Sequence, residues 1–178
     1  KGGITQQEIE DFKKRFPSRG KSESAVNCIM TEYLKLKNID TEKYGFSAEP
    51  VGDDIFTWEV RLFGFDPKSD EIAKDLVDYK KKFGMEYIQM EMKFTEGFPL
   101  EPPFIRVIKP RFKFRTGHVT IGGSICMQLL TKSGWSPVNT IEAIFVQIRC
   151  EIASGGARLD FDNTSPYSEH EAREAYHR

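Results

Sequence analysis

The fold class the sequence predicts is α+β: a four-stranded antiparallel meander flanked by helices, with one helix inserted between the second and third strands. Three observations predict it. Apolar residues recur at helical spacing toward both ends of the chain, alternate with polar residues in two central segments, and are linked there by connections too short for parallel crossovers.

Thr5 and Glu8 stand at the two positions of a capping box, and Ile4 can staple onto Ile9, so a helix starts there. Ile9, Phe12 and Phe16 share one face until Pro17 ends it. After a polar, Gly-containing stretch over 18–21, Val26, Ile29, Met30, Tyr33 and Leu34 repeat at helical spacing, with Cys28 off the main stripe at the helix boundary. The period then changes to two. Phe56, Trp58, Val60 and Leu62 alternate with Thr57, Glu59 and Arg61, and Ile88, Met90, Met92 and Phe94 alternate with Gln89, Glu91 and Lys93. Each segment reads as a strand with one wet face. Strands over 44–50 and 104–108 complete the meander.

Within 66–84, Ser69 is the expected cap of the inserted helix, which carries Ile72, Leu76, Tyr79 and Phe83. Beyond Pro137, Asn139 and Glu142 predict a capping box for a helix with Ile141, Ile144, Phe145, Ile148 and Ile152 on one face, stopped by Gly155 and Gly156. The segment 168–178 is expected to be a polar surface helix. The predicted division is a helical extension over 1–21 and a core domain over 22–178 that includes this last helix.

A chain of 178 residues suits one domain with a sizeable core. With 39% apolar and 30% charged residues it is far from disordered or collagenous compositions. A net charge of -1 supplies no global field for nucleic acid or an anionic membrane, so neither is an expected partner. Charge interrupts every apolar run long before the roughly 18 residues of a spanning helix. Cys28, Cys126 and Cys150 are odd in number, widely spaced and without a C-x-x-C pair, which predicts reduced thiols in the cytoplasm or nucleus. The scattered histidines and cysteines make a poor metal set, and no phosphate-binding loop occurs, so no metal or cofactor is expected. The start at Lys1 and the end at Arg178 within a charged stretch predict a domain trimmed from a longer chain.

From 98 to 137 no regular period survives, although apolar residues are plentiful; long irregular segments of this kind are usually functional. It contains Gly122, Gly123, Ser124, Ile125 and Cys126. Two glycines before a cysteine permit tight turns and leave amide groups accessible to an oxyanion. Taken alone, Cys126 reads first as a small buried hydrophobe, the usual state of a free cysteine. Neither His, Lys nor Arg lies within five positions of it, and a Cys-His hydrolase pair would need His118, His170 or His177 brought in by folding.

Context points further. FPLEPPFIRVIKP at 98–110, GGSICMQLL at 122–130 and GWSPV at 134–138, followed by the amphipathic helix, resemble the ubiquitin-conjugating enzymes in order and near spacing. The resemblance spans 22–152, and the inserted helix with TGHVTIGGSIC looks most like the family's Q-type branch. It implies that Cys126 takes ubiquitin as a thioester from the activating enzyme and passes it to a lysine of a target protein or to a ligase. ATP would be consumed by the activating enzyme. Thiolate attack on a thioester is facile and demands no strong base. The alternative is a non-catalytic binding module of the same fold, whose usual mark is loss of this cysteine.

One departure concerns the His-Pro-Asn that most of the family carries before the cysteine: Thr116, Gly117, His118, Val119 and Thr120 stand there instead. His118 is expected to bond loop backbone rather than move a proton, leaving oxyanion stabilisation to the amides around Gly122 and Gly123 or to the Thr120 hydroxyl. The resemblance also makes Asp162 the weak choice for guiding an incoming lysine, and Leu100, Ser136, Pro137 and Val138 the positions that contact a ligase. Pro102, Pro103 and Trp135 read as scaffold, and Cys150, beside the apolar stripe of the central helix, as packing.

Overall fold

The computed structural model describes residues 3–176. The chain runs α1 (Gln6–Arg15), α2 (Glu23–Lys37), β1 (Phe46–Val51), β2 (Asp54–Leu62), α3 (Glu71–Phe83), β3 (Ile88–Lys93), β4 (Phe104–Lys109), α4 (Ile141–Ser154) and α5 (Glu169–Tyr176). The strands form one antiparallel sheet in the order β1-β2-β3-β4, with Trp58 opposite Met92 and Met90 opposite Val107. This is the α+β meander with its inserted helix.

Alternation along β2 and β3 places Trp58, Val60, Leu62, Ile88, Met90 and Met92 on one fully buried face. They join α2 and α4 in a continuous core, where Tyr33 meets the Trp58 ring at 5.9 Å and Phe46 meets Phe145 at 5.8 Å. The reciprocal Thr5–Glu8 cap starts α1, and Phe12 and Phe16 are buried against Tyr33. All five residues of the predicted α4 stripe are buried.

Several local details differ from the sequence expectation. Strand β1 begins at Phe46, since Thr41–Tyr44 form a 3-10 turn that Gly45 closes at φ 80°. Asp70, not Ser69, stands at the N-cap of α3; the Ser69 hydroxyl donates to the Asp66 and Asp70 carboxylates instead. Phe83 is 46% exposed at the end of that helix rather than in its stripe. Thr140 caps α4 by accepting from the Ala143 amide, while Glu32 of α2 accepts the Ile141 amide 3.0 Å away. Asn139 sits just outside, its side-chain amide nitrogen buried without a partner among the described residues. Cys150 is exposed, because the turn of α4 carries it to the side opposite Ile148 and Ile152. Cys28 lies partly buried at the core margin. Among the described residues, no helix is long and apolar enough to cross a membrane.

The inserted helix is tied to the chain leaving α4. Asp75, 5% exposed, accepts from Arg158 Nε at 2.7 Å and from the Leu159 amide at 2.9 Å. A buried carboxylate with these partners is satisfied, and removing it would orphan the Leu159 amide and leave Arg158 with the looser Glu71 pair at 3.6 Å.

Candidate active site

The irregular stretch after β4 is an ordered hairpin. Val119 pairs with Ile125, the Thr120 amide donates to the Ser124 carbonyl at 2.9 Å, and the Gly123 amide donates to the Thr120 carbonyl at 3.0 Å. Its second arm lies along β4: the Val107 amide donates to the Gly123 carbonyl at 2.7 Å, and the Ile125 amide to the Ile105 carbonyl at 3.2 Å. Ile125 is buried, which anchors the arm between the sheet and the core. The next residue is Cys126, and its side chain emerges exposed. Its amide donates to the His118 carbonyl at 2.8 Å, after which Gln128–Leu130 form a 3-10 turn. A rigid platform thus presents one accessible thiol, the opposite of the small buried hydrophobe.

The predicted supporting residues have other local tasks. His118, at φ 61°, supplies backbone to Cys126, but its ring reaches Glu151 of α4 with Nε2–Oε1 at 3.4 Å. The ring thus lies beside a carboxylate of α4. The Thr120 hydroxyl is engaged with Ser124 Oγ at 2.7 Å. Gly123 spends its amide proton on the turn, so it is not an oxyanion donor in this arrangement. Both glycines answer a packing demand: at Gly122 a Cβ would stand 2.6 Å from the Glu171 carbonyl carbon, and at Gly123 it would stand 2.6 Å from the Tyr167 ring. Asp162 is exposed in the loop after α4, its amide held by Asp160 Oδ1 at 2.8 Å. Neighbouring Phe161 packs on Tyr79, which draws that loop toward α3.

Sequence reasoning missed the part that α5 plays here. Ser168 and Glu171 cap the helix reciprocally, and Glu171 also receives two hydrogen bonds from Arg111 at 3.1 and 3.0 Å. Arg111 additionally donates to the Ser165 and Pro166 carbonyls and lies 4.5 Å over the Tyr167 ring. Lys93 and Arg173 converge on Glu169 at 2.9 and 2.8 Å. These two cations hold the Glu169 carboxyl below its ordinary value. Burial pushes Glu171 up, but Arg111 and the Ser168 amide outweigh it and leave that carboxyl lowered too. At the last turn the Tyr176 hydroxyl donates to the Leu130 carbonyl at 2.8 Å. Burial raises the Tyr176 phenol, and charge on Cys126 raises it further, so the two groups are electrostatic neighbours. The S-x-x-E at 168–171 and the i, i+4 pair Ala172 and Tyr176 were legible as a helix with a narrow apolar face, but not what that face meets.

Two exposed loops carry apolar tips. Leu100 is 78% and Val138 84% exposed, and Pro137 is exposed beside a half-buried Ser136. Trp135 is buried between the loops and donates from Nε1 to the Pro99 carbonyl at 2.7 Å, with Phe98 against its ring. Trp135 is scaffold, and it fixes the two apolar tips relative to one another.

The fold thus presents an exposed thiol on a sheet-anchored hairpin and two exposed apolar loop tips. The chain belongs to the ubiquitin-conjugating enzyme family, in its Q-type branch: the family model described as ubiquitin-conjugating enzyme matches residues 28–174. Human ubiquitin-conjugating enzyme E2 Q1 is 36% identical over 157 residues, 87% of this chain and 36% of that protein. A Q-like ubiquitin-conjugating enzyme protein of Drosophila melanogaster is 32% identical over 151 residues, 83% of this chain and 47% of that protein. This chain thus spans less than half the length of these relatives. The crystal structure of a ubiquitin-conjugating enzyme E2 from Plasmodium falciparum shares the fold, with a TM-score of 0.55 at 21% identity over 72% of this chain and 84% of that one.

Proposed function

We propose that this chain accepts ubiquitin on Cys126 and transfers it to a lysine of a target protein or to a ligase cysteine. The observation that carries the reading is the exposure of Cys126 on a backbone locked to β4 and to residue 118. The Cys126 thiolate attacks the thioester carbonyl of ubiquitin held on the activating enzyme. A new C–S bond forms at Cys126, and the activating enzyme's thiolate leaves. In transfer to lysine the amine nitrogen attacks the same carbonyl, the Cys126 thiolate departs, and the proton of the former ammonium goes to solvent. ATP is spent by the activating enzyme before either step, so this chain works without a cofactor.

Leu100 and Val138 are the proposed ligase-contact tips, with Ser136 and Pro137 between them and the Trp135 brace. Isolated apolar tips on a rigid base suit a small protein interface. Unpaired cysteines that stay reduced favour the cytoplasm or nucleus.

Incubation with activating enzyme, ATP and ubiquitin, followed by non-reducing electrophoresis, tests the reading. A thiol-sensitive adduct is expected for the chain and for its Cys28→Ser and Cys150→Ser variants. Cys126→Ser should give a thiol-resistant oxyester or nothing. Absence of an adduct, with an activating enzyme that charges a control, refutes it.

A further inference from the structure

Helix α5 grips the segment that carries Cys126 from both ends. On the near side, Gly122 lies so close under the helix that a Cβ would stand 2.9 Å from the Ala175 methyl group. On the far side, Tyr176 holds the Leu130 carbonyl, which belongs to the 3-10 turn beginning two residues after Cys126. That turn is closed by the Leu130 amide on the Met127 carbonyl at 3.1 Å, so the N–H and the C=O of Leu130 are both bonded. The Tyr176 ring is itself aimed: Phe104 meets it edge-on at 5.6 Å and 88°, and Arg173 lies 4.2 Å over Phe104.

Resting on the reading that Cys126 carries the thioester, we infer that Tyr176 is a positioning residue of the transfer reaction, its hydroxyl holding the Leu130 peptide so that Cys126 is presented in one direction. The phenol is suited to the task because its ring has few rotatable bonds and is pinned by Phe104, leaving the hydroxyl little freedom. Its electrostatic coupling with Cys126 agrees with this proximity. Acyl transfer is sensitive to such placement, since an error of about 1 Å in reacting geometry can cost on the order of 100-fold. The remaining anchors of α5, at Arg111–Glu171 and Lys93–Glu169, do not pass through the hydroxyl. Tyr176→Phe keeps the ring against Phe104 and removes the hydroxyl that bonds Leu130.

The test uses the chain with Cys28→Ser and Cys150→Ser, so that Cys126 is the sole thiol, loaded with ubiquitin and discharged to free lysine over a range of lysine concentrations. Tyr176→Phe should lower the maximal discharge rate roughly tenfold, with half-saturating lysine within about twofold and the melting temperature within about 2 °C. Placing 3-fluorotyrosine at 176, which keeps the hydroxyl, should restore the rate. Discharge of Tyr176→Phe at the parent rate, a loss confined to half-saturating lysine, or a loss that tracks melting overturns the inference. If the parent chain never accepts ubiquitin, the reading of Cys126 falls and this inference with it; if it charges and Tyr176→Phe discharges normally, the role of Tyr176 alone falls.

Discussion

Gly122→Ala should displace α5, and the size of the effect can be worked from the packing. Gly122 lacks the left-handed φ of its neighbour Gly123, which sits at 97°, so the backbone itself accepts alanine. The obstacle is backbone on the other side: the new Cβ would stand 2.6 Å from the Glu171 carbonyl carbon, against about 3.4 Å for ordinary contact. A carbonyl in a helix cannot rotate away, and its oxygen is nearer still at 2.0 Å, so α5 must retreat by more than 1 Å. Unless the side chains follow, that retreat carries the Arg111–Glu171 pair from 3.0 Å and the Tyr176–Leu130 bond from 2.8 Å past the range of hydrogen bonding. Overpacking alone costs about 1–3 kcal/mol. With weakened bonds in a half-exposed setting, about 2–3 kcal/mol is expected, a fall in melting temperature of roughly 4–12 °C for a domain of this size. Denaturant melts would measure the loss, and amide exchange would locate it in α5. Gly3→Ala, where a Cβ meets nothing within 4 Å among the described residues, is the control. Stability within about 0.5 kcal/mol of the parent, with α5 amides equally protected, would refute the packing argument.

Other outcomes can be checked in parallel. Because the Glu169 and Glu171 carboxyls are lowered in the folded chain, their contribution is complete above the ordinary value of 4.5 and is lost as pH falls through their folded values. Acid should therefore loosen α5, seen as faster amide exchange over 169–176, and Glu171→Gln should reduce that pH dependence. Asp75→Ala orphans the Leu159 amide, while Arg158, 38% exposed, keeps Glu71 at 3.6 Å, so about 2 kcal/mol in a urea melt is expected rather than the larger loss of a fully buried pair. Leu100→Ala and Val138→Ala should stay within about 0.5 kcal/mol in stability and charge normally, while losing ligase-stimulated discharge. A native thiol titration should find Cys126 and Cys150 reactive and Cys28 slow, whereas a protected Cys150 would contradict its exposed position.

Legibility in the sequence followed the range of the interaction responsible. The Thr5–Glu8 cap, the alternation along β2 and β3 and the α4 stripe depend on neighbours within one or two turns, and all were readable. The cap of α4 was misread because the deciding partners include Glu32, more than a hundred residues away in sequence. Gly122 and Gly123 also answer a packing demand. Two adjacent glycines mark a close approach, but the sequence does not say whether a ligand or the protein's own helix makes it, and here it is α5 and Tyr167. Arg111 drew no notice, since an arginine becomes a hub only when carbonyls, a ring and a carboxylate gather around it.

By itself the sequence determined the order and type of the main elements, the buried face of the meander and the family resemblance that singled out Cys126, because periodicity and motif spacing are local properties. Only the tertiary structure decided that Cys126 is exposed while the adjacent Ile125 is buried, that Cys150 faces outward, that His118 turns toward Glu151, and that the polar final helix closes over the cysteine hairpin. Each of these depends on which surfaces the fold brings together, and that is settled by long-range packing and by buried polar groups finding partners far along the chain.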